Sequence, residues 1–490
     1  MSDACAVGAP ATDRPATSLR RFAGVWSIWA LGVSGVIPGE YSGWNYGLIT
    51  GGFGGMLVAT LVIVVMYLGL CFSLAEMSSA MPYSGGAYAY GRCAFGVWGG
   101  FLAGTAQNIE YILSAAAVVI SVGDAMELVI YGLFAARVPE LLLWAIAYAI
   151  FTAINIGGIA LTCRIALLLT VLALAVLAVF AVGAIPNFDL SLALDLPVQP
   201  GGSPWLPNGM VGIAWSVPFA IWFLVVIELT TLTAEETKEP ETTVPKGILY
   251  GIATLVAAAL IVLVLNSGVP PGARAIGNAQ QPLLLGFEQF FGGRLSQTLL
   301  ALFGLAAYAA GFHAMIYAYG RSIFSLARAG YLPAGLSATH ATRKTPYSAL
   351  LAGSLLGFAA AVLIRYARPD LHTDAILVTG AVLAAIVSYI LQMLSFLALR
   401  RRLPDMNRPY VSPLGATGAM TTFVIALAAC ALMLLEPSYR EGMLGFAIIF
   451  GLCVLYFVIR RPHPDVAVPE EAFAIAHTAV GHDPVDHGNE

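Results

Sequence analysis

Charged side chains are scarce in this sequence. Asp, Glu, Lys and Arg make up 10% of the 490 residues, compared with about 25% in a typical soluble domain. Apolar residues make up 59%, compared with about 45–50% in soluble proteins. The composition excludes an ordinary soluble enzyme or binding module and indicates a protein of the lipid bilayer. The net charge of −4, without a long basic tract, gives no indication of nucleic-acid binding.

Cysteine is also rare, and the motifs of several enzyme classes are absent. The cysteines show no paired spacing that would predict a disulfide framework or a zinc site; they are Cys5, Cys71, Cys93, Cys163, Cys430 and Cys453. The sequence contains no HExxH, GxSxG or GxxxxGK[ST] motif, which mark metalloproteases, α/β-hydrolases and P-loop proteins. We therefore predict neither an enzyme nor an ATP-driven pump, and no metal or organic cofactor.

Long apolar runs, in contrast, recur along almost the whole chain. A helix needs about 20 predominantly apolar residues to cross the hydrocarbon core of a bilayer. The predicted spans are 22–50, 53–80, 94–123, 140–157, 160–185, 209–233, 246–266, 296–326, 347–365, 375–400, 412–435 and 442–460. We predict an all-α integral membrane protein with twelve transmembrane helices.

Two polar tails flank these spans. Residues 1–21 lack the apolar region of a secretory signal peptide, and we predict that they form a cytoplasmic tail. Residues 22–460 form the predicted transmembrane domain, and residues 461–490 are predicted to be a disordered cytoplasmic tail. Four loosely spaced histidines in this tail fit disorder better than a metal site; they are His463, His477, His482 and His487.

The positions of lysine and arginine predict the orientation. If the N-terminus is cytoplasmic, seventeen of the 23 cationic residues fall on the inner side and six on the outer side. Cationic loops are retained on the cytoplasmic side of membranes. We therefore predict that both termini are cytoplasmic and that the protein lies in the cytoplasmic membrane of a bacterium.

The first and sixth spans contain residues that interrupt a membrane helix. Residues 33–44, VSGVIPGEYSGW, include Pro38 and Glu40, and the sixth span includes Pro218 and Glu228. Irregular backbone at membrane depth occurs where it is buried in protein or lines a cavity. Many carriers place two broken helices at matching points of inverted repeats. We predict a break at residues 37–40 and a five-plus-five inverted repeat over about 22–185 and 209–400, followed by two extra helices at 412–460.

Four stretches on the predicted cytoplasmic side carry a family resemblance. They are AEMSSAMPYSGGAYAY, AEETKEPETTVPKG, RSIFSLARAGYLP followed by TPYSA, and RRRLPDMNRPY. In order and spacing, the chain resembles the amino acid–polyamine–organocation (APC) permeases over residues 22 to about 460. Within that family it is most similar to bacterial ethanolamine permeases, through GEYSGWNYGL, QNIEYIL and FAIWFLVVIEL. The resemblance implies the APC fold with discontinuous helices 1 and 6, and transport of small amines or amino acids coupled to protons or sodium.

The break in helix 1 bears on the choice of substrate. In most relatives a Gly-Ser-Gly or Gly-Thr-Gly break offers free amides to the substrate's carboxylate, whereas this chain has Pro38, Gly39 and Glu40. Proline has no amide hydrogen, and an ionised Glu40 would repel a carboxylate. We therefore expect an ammonium without a carboxylate, such as ethanolamine, at a site that includes Gly35, Ile37 and Gly39. The alternative is that Glu40 reaches the external headgroups.

The third span carries a second acid. Gln107, Glu110 and Tyr111 lie on one polar stripe of an otherwise apolar helix, which we expect to face the bundle. An ionised acid near the middle of a membrane helix costs about 2.5–3.5 kcal/mol on insertion scales. Glu110 is therefore expected to bind a cation or to remain protonated, and the alternative is a structural hydrogen bond to a neighbouring helix.

The sixth span supplies a third acid, Glu228, as a further candidate for the amine site. Trp222 precedes it and could contact the amine through a cation–π interaction worth about 0.5–2 kcal/mol. Neither assignment is exclusive, since Glu228 could also anchor the helix in the cytoplasmic vestibule and Trp222 could be a packing residue. No glycine follows Glu228 before Gly247, so the extent of this break is left open.

Two further residues are candidates for ion coupling. His313 titrates near neutral pH when unperturbed, and Arg164 could act as a fixed cation in place of sodium. A hydrogen-bonded core histidine and an arginine that snorkels to the interface are the alternatives. The sequence does not discriminate between H⁺ and Na⁺ as the coupling ion, and no feature predicts an oligomeric state.

Together these features predict a secondary transporter that imports a small protonated amine, most favourably ethanolamine, by alternating access. An amino-acid permease for small neutral or cationic amino acids is the alternative within transport. An amine-gated channel or sensor is the alternative from another class.

Overall fold

The computed structural model describes residues 19–288, 294–367, 373–462, 464–465 and 468–479. The part so described is almost entirely helical, and its only β-type pairing is an isolated bridge between Ala23 and Thr237. The α-helices are α1 (Val25–Val36), α2 (Pro38–Tyr41), α3 (Tyr46–Ala80), α4 (Ala87–Phe134), α5 (Glu140–Ile156), α6 (Ile159–Ala184), α7 (Leu190–Ala193), α8 (Gly209–Trp222), α9 (Pro240–Ser267), α10 (Ala273–Asn278), α11 (Pro282–Glu288), α12 (Arg294–Arg328), α13 (Tyr347–Ala367), α14 (Thr373–Arg402), α15 (Gly415–Leu435), α16 (Arg440–Arg460) and α17 (Pro469–Ala479).

Ten helical segments among the described residues are long and apolar enough to cross a membrane. Each of them overlaps one of the predicted spans. The two other predicted spans fall on the interrupted first helix and on α5, which is apolar but has only 17 residues. The protein is thus an all-helical membrane protein, and the number of twelve spans and the inverted repeat stay predictions.

The core of the bundle is built around α4. This helix packs along α12 and α14. The interrupted first helix lies beside α6, α9 and α12, and α8 of the sixth predicted span packs along α3. The polar stripe predicted on α4 faces the bundle, because Gln107, Glu110, Tyr111 and Ser114 are all buried. The apolar side chains of the same helix that point elsewhere, such as Leu128, are exposed at the perimeter.

One end of the bundle is held by ion pairs, and we call it the arginine-rich end. Its described residues form six pairs: Glu76–Arg400, Glu76–Arg408, Glu236–Arg321, Glu235–Arg328, Glu470–Arg328 and Glu471–Arg92. The Glu236 carboxylate accepts hydrogen bonds from Arg321 Nε and Nη2, both at 3.1 Å, and from the Tyr317 hydroxyl at 2.6 Å. This end is the one that the distribution of lysine and arginine predicts to be cytoplasmic.

The C-terminal tail differs from the predicted disorder, because α17 packs on the arginine-rich end. The Phe473 ring lies 5.7 Å from that of Tyr83, and Glu471 accepts hydrogen bonds from the Tyr88 hydroxyl and Arg92 Nε, each at 2.6 Å. Burial raises the pKa of Glu470 to about 7, against the opposing effect of Arg328. The composition of the whole tail predicted disorder, whereas these specific contacts hold α17 in place. Of the tail histidines, His463, His482 and His487 lie outside the described residues.

Candidate functional site

The sixth predicted span is broken, although it has no glycine at the break. Helix α8 ends at Trp222, residues 223–226 form turns, and a 3₁₀ helix runs from Ile227 to Glu236. Val226 adopts the left-handed region, with φ 77° and ψ 0°, which is uncommon and costly for a β-branched residue. Such strain persists only where the surroundings impose it, and here the whole break is buried.

The first span is interrupted at Ile37, between α1 and α2, and its backbone unwinds about one turn later. Ile37 keeps right-handed helical torsion angles, and α2 continues to Tyr41. The chain leaves the helical path at Ser42, which is extended, and at Gly43, which has a φ of +92°. The interruption at Ile37 lies within the predicted residues 37–40, and the helical torsion angles persist beyond it because proline fits the first turn of a helix. Pro38 begins the short helix α2.

The two broken helices touch closely at glycines. A Cβ atom on Gly39 would come within 2.6 Å of the Trp222 carbonyl oxygen, and one on Gly35 would overlap the Leu229 side chain. The Trp222 indole N–H also donates to the Ser42 carbonyl at 3.1 Å. The predicted glycines therefore allow the two breaks to pack against each other, and Ile37 is fully buried at the junction.

Glu110 and Glu228, which we call the acid pair, lie on either side of one hydroxyl group. The Tyr389 hydroxyl oxygen is 3.1 Å from Oε1 of Glu110 and 2.9 Å from Oε2 of Glu228. The Val226 N–H donates to the same oxygen at 3.4 Å, and the Tyr67 hydroxyl lies 3.4 Å away. Residues from α3, α4, α14 and the helix-6 break thus converge on this point.

No cation accompanies the acid pair within the described ranges. Both carboxyl groups are fully buried, and neither belongs to an ion pair. Glu110 Oε2 and Glu228 Oε1 receive no hydrogen bond there. An isolated buried carboxylate is so costly that it takes up a proton or binds a cation. The arrangement can therefore hold a proton, an ammonium group or both.

Glu40 is buried apart from the acid pair. Its side chain is fully buried on α2, and neither of its oxygens has a hydrogen-bond partner in the described chain. Its neighbour Tyr41 donates to the Ala173 carbonyl at 2.8 Å. No contact joins Glu40 to Glu110 or Glu228, so the structure brings two of the three predicted acids together.

The remaining predicted binding residues surround these acids in different ways. Tyr111 is buried, with both members of the acid pair as electrostatic neighbours. Gln107 Oε1 accepts from the Ala87 N–H at 3.2 Å, so this side chain also ties α4 to the loop before it. Trp222 lines a small cavity beside the helix-1 break, together with Pro38, Ser42, Gly43, Ala117, Val118, Ser121, Gln280 and Val378.

The two coupling candidates lie away from the acid pair. His313 is buried, with Nε2 3.1 Å from the Thr162 carbonyl and Nδ1 3.0 Å from Asn155 Nδ2. This arrangement fits a neutral histidine that donates from Nε2 and accepts at Nδ1. Arg164 is exposed at the perimeter of α6, as expected for an arginine at an interface. The residues described include no group of three or more His, Cys, Asp or Glu that could hold a metal ion.

Tyr389 is the site residue that the sequence analysis missed. It lies in α14, a long apolar helix, where a single tyrosine is unremarkable. The sequence held only an indirect signal. A buried tyrosine hydroxyl needs a hydrogen-bond partner, and two acids without cations in other spans could provide one.

Comparisons with known proteins give a consistent result. Residues 24–460 match the family model described as amino acid permease. The chain is 28% identical to an uncharacterised transporter of Rhizobium meliloti over 460 residues, which cover 92% of each chain. It is 25% identical to a branched-chain amino acid permease of Bacillus subtilis, covering 91% of this chain and 94% of the relative. It is 24% identical to a methylthioribose transporter of Bacillus subtilis, covering 91% and 95%.

Proposed function

This chain belongs to the amino acid permease family, and we propose that it imports a small protonated amine, most favourably ethanolamine, by alternating access. We further propose that it acts in the cytoplasmic membrane of a bacterium with both termini in the cytoplasm. Transport as such follows from the family. The amine and the direction of transport are the proposal.

The acid pair is the observation that carries this proposal. Glu110 and Glu228 are fully buried without an arginine, lysine or histidine partner among the described residues. A substrate ammonium offers three N–H donors and one positive charge, which match the two carboxyl oxygens that receive no hydrogen bond. Burial of the ammonium there would replace its lost hydration with charge-assisted hydrogen bonds.

Glu40 and Pro38 support the choice of an amine without a carboxylate. Glu40 is a third buried acid without a cation, and Pro38 removes one backbone donor from the helix-1 break. A substrate carboxylate would therefore meet negative charge at both breaks and fewer amides than a glycine-rich break provides. Ethanolamine replaces that carboxylate with a neutral hydroxymethyl group.

The second candidate is an amino-acid permease for small neutral or cationic amino acids. Both the family description and the named substrate of the branched-chain relative favour it. The methylthioribose relative shows, by its name, that a similar chain carries a substrate that is not an amino acid. Substrate class therefore has to be tested on this protein directly.

Counterflow in proteoliposomes tests the proposal. Vesicles loaded with unlabelled ethanolamine are expected to take up labelled ethanolamine by exchange, with weak inhibition by external serine or alanine. Efficient inhibition by these zwitterions would favour the amino-acid permease. Equilibration of the label without trans-stimulation would favour a channel, and binding without any flux would favour a sensor.

A further inference from the structure

We propose that α17 is an autoinhibitory helix: when it is docked on the arginine-rich end, it holds the bundle closed on that side. Undocking of α17 is then required before the acid pair becomes accessible from the cytoplasm. This role rests on the alternating access of the proposed function and is independent of which substrate is carried.

The two broken helices are hydrogen-bonded to each other at the arginine-rich end. The Phe22 and Ala23 N–H groups donate to the Glu236 carbonyl at 2.6 and 2.8 Å, and the Lys238 N–H donates to the Ala23 carbonyl at 3.3 Å. The Glu236 carboxylate also binds Arg321 of α12. We call this junction the inner gate, because alternating access requires such contacts to separate before the site opens on this side.

Glu470 of α17 joins the network that holds the inner gate. Arg328 of α12 donates to Glu235, near the end of the 3₁₀ helix, at 2.6 and 2.9 Å. The same guanidinium donates to both carboxylate oxygens of Glu470 at 2.9 and 3.0 Å. Glu235 also accepts from the Ser84 N–H at 2.9 Å, in the loop before α4. The last turn of the 3₁₀ helix is therefore connected to α17, α12 and α4 through one arginine.

Glu471 of α17 connects α4 with the chain that follows α12. The Tyr88 hydroxyl and Arg92 Nε, both on α4, donate to its carboxylate at 2.6 Å each. The Tyr331 hydroxyl, just after α12, donates to the same carboxylate at 3.1 Å. Docked α17 therefore fixes α4 against α12, and movement of the 3₁₀ helix away from these two helices has to break contacts made by α17.

The contacts of α17 are placed where they can be released. The Arg92 and Arg328 side chains are 9% and 7% exposed even with α17 docked, whereas Arg321 in the inner gate is fully buried. Undocking therefore returns Arg92 and Arg328 to water, and a charge that regains hydration is not left uncompensated. The connection from α16 is short, residues 461–468, so redocking is intramolecular and has a high effective concentration.

The helix itself depends on docking for its order. It has 11 residues, and isolated helices of this length are marginal in water. Pro469 at its start and the acids Glu470 and Glu471 in its first turn favour the helix, and the same two acids bind the arginines. Folding of the segment is therefore coupled to docking, which makes α17 an order–disorder switch.

Two measurements that need no transported substrate report on the switch. Hydrogen exchange of residues 469–479 measures docking of α17. Cys163 on α6 reports the inner gate, because its thiol is buried beside Ser27 of α1, Glu236 and Arg321. A maleimide reaches this thiol when these elements part, and mass spectrometry of the labelled peptides follows Cys163 separately from the other cysteines.

Two substitutions on α17 weaken docking and leave the acid pair untouched. Glu471→Gln removes the charge that binds Arg92, and Phe473→Ala removes the ring packed on Tyr83. In Glu471→Gln the protection of residues 469–479 is expected to fall by about 10- to 150-fold, the factor that corresponds to one hydrogen bond to a charged group. In both variants we expect faster labelling of Cys163 and a faster initial rate of ethanolamine counterflow.

Glu140→Gln is the matched control, because it makes the same chemical change in an exposed ion pair with Arg365. It is expected to match the parent protein in all three measurements. Loss of protection in α17 with unchanged labelling and unchanged counterflow would overturn the proposal, and so would a slower counterflow, which would make α17 a support for activity.

Unchanged protection in both α17 variants would overturn the docking contacts themselves. Absence of ethanolamine counterflow in the parent protein would overturn the proposed substrate only. The labelling rate of Cys163 would still decide the role of α17, with faster labelling in the two variants supporting autoinhibition and equal labelling overturning it.

Discussion

Buried glutamates at the arginine-rich end have cationic partners, whereas buried glutamates in the interior of the bundle have none among the described residues. Seven glutamates are buried in the described part of the chain. Four of them, Glu76, Glu236, Glu470 and Glu471, have arginine partners. The other three, Glu40, Glu110 and Glu228, have no cationic partner in that part. The same residue type therefore completes an ion pair in one region and leaves negative charge unmatched in the other.

We interpret this difference as one between structural acids and the acids of the proposed binding site. An acid that is paired with an arginine joins two helices, and its removal leaves a buried arginine without a counter-ion. An acid without a cation weakens the folded protein when ionised, so its presence calls for another explanation. Binding of a cation that enters from outside supplies that explanation, and glutamate-to-glutamine variants in both regions can test it.

The largest expected effect is on stability at the arginine-rich end. Glu236→Gln leaves the fully buried Arg321 without its carboxylate, and breaking a buried ion pair costs about 3–5 kcal/mol. We expect a marked fall in the melting temperature of the detergent-purified protein. An unchanged melting temperature would show that the paired acids do not hold this end together.

The second effect is on transport and falls on the interior. Glu228→Gln removes the proposed partner of the ammonium, and a hydrogen bond to a charged group contributes about 1.5–3 kcal/mol. The apparent affinity for ethanolamine should fall by about 10- to 150-fold, measured by counterflow. The melting temperature should stay the same or rise, because an unmatched buried charge is removed. A lower melting temperature with unchanged affinity for ethanolamine would show that Glu228 is a structural acid, contrary to the proposal.

The smallest effect concerns the pH dependence of the arginine-rich end. Glu235 and Glu470 share the single Arg328, and burial raises the pKa of Glu470 from 4.5 to about 7. A raised pKa in the folded state means that docking of α17 binds a proton, so docking is strongest below pH 4.5 and weakens as the pH rises through about 7. Hydrogen exchange of residues 469–479, corrected for intrinsic rates, should show protection that falls over this window. Protection that increases with pH would contradict the predicted direction of this pH dependence.

Much of the fold could be predicted because hydropathy is a property of the sequence itself. Ten predicted spans overlap long apolar helices, and two acids of the site stood out because charge is rare inside such segments. The interruption of helix 1 falls at Ile37, within the predicted residues, and the unwound backbone begins only at Ser42 because proline is compatible with the start of a helix and α2 begins at Pro38.

Other features depend on tertiary contacts that no local pattern reveals. Val226 adopts a left-handed conformation without being glycine, so the helix-6 break carries no conformational signature in the sequence. Tyr389 meets the acid pair only because of the register of α14 against α4. The helix α17 lies in a tail that is otherwise rich in prolines and acids, and its two glutamates bind arginines and a tyrosine from distant parts of the chain.

Equilibrium binding to the purified protein tests the central claim most directly, namely that the interior acids select a guest that carries positive charge alone. Labelled ethanolamine is displaced in parallel by ethanolamine, by glycine and by ethylene glycol. Glycine keeps the ammonium and adds a carboxylate, and ethylene glycol has a second hydroxyl group in place of the ammonium. We predict displacement by ethanolamine and weak or no displacement by the other two. Displacement by glycine at the same concentrations as ethanolamine would contradict the account.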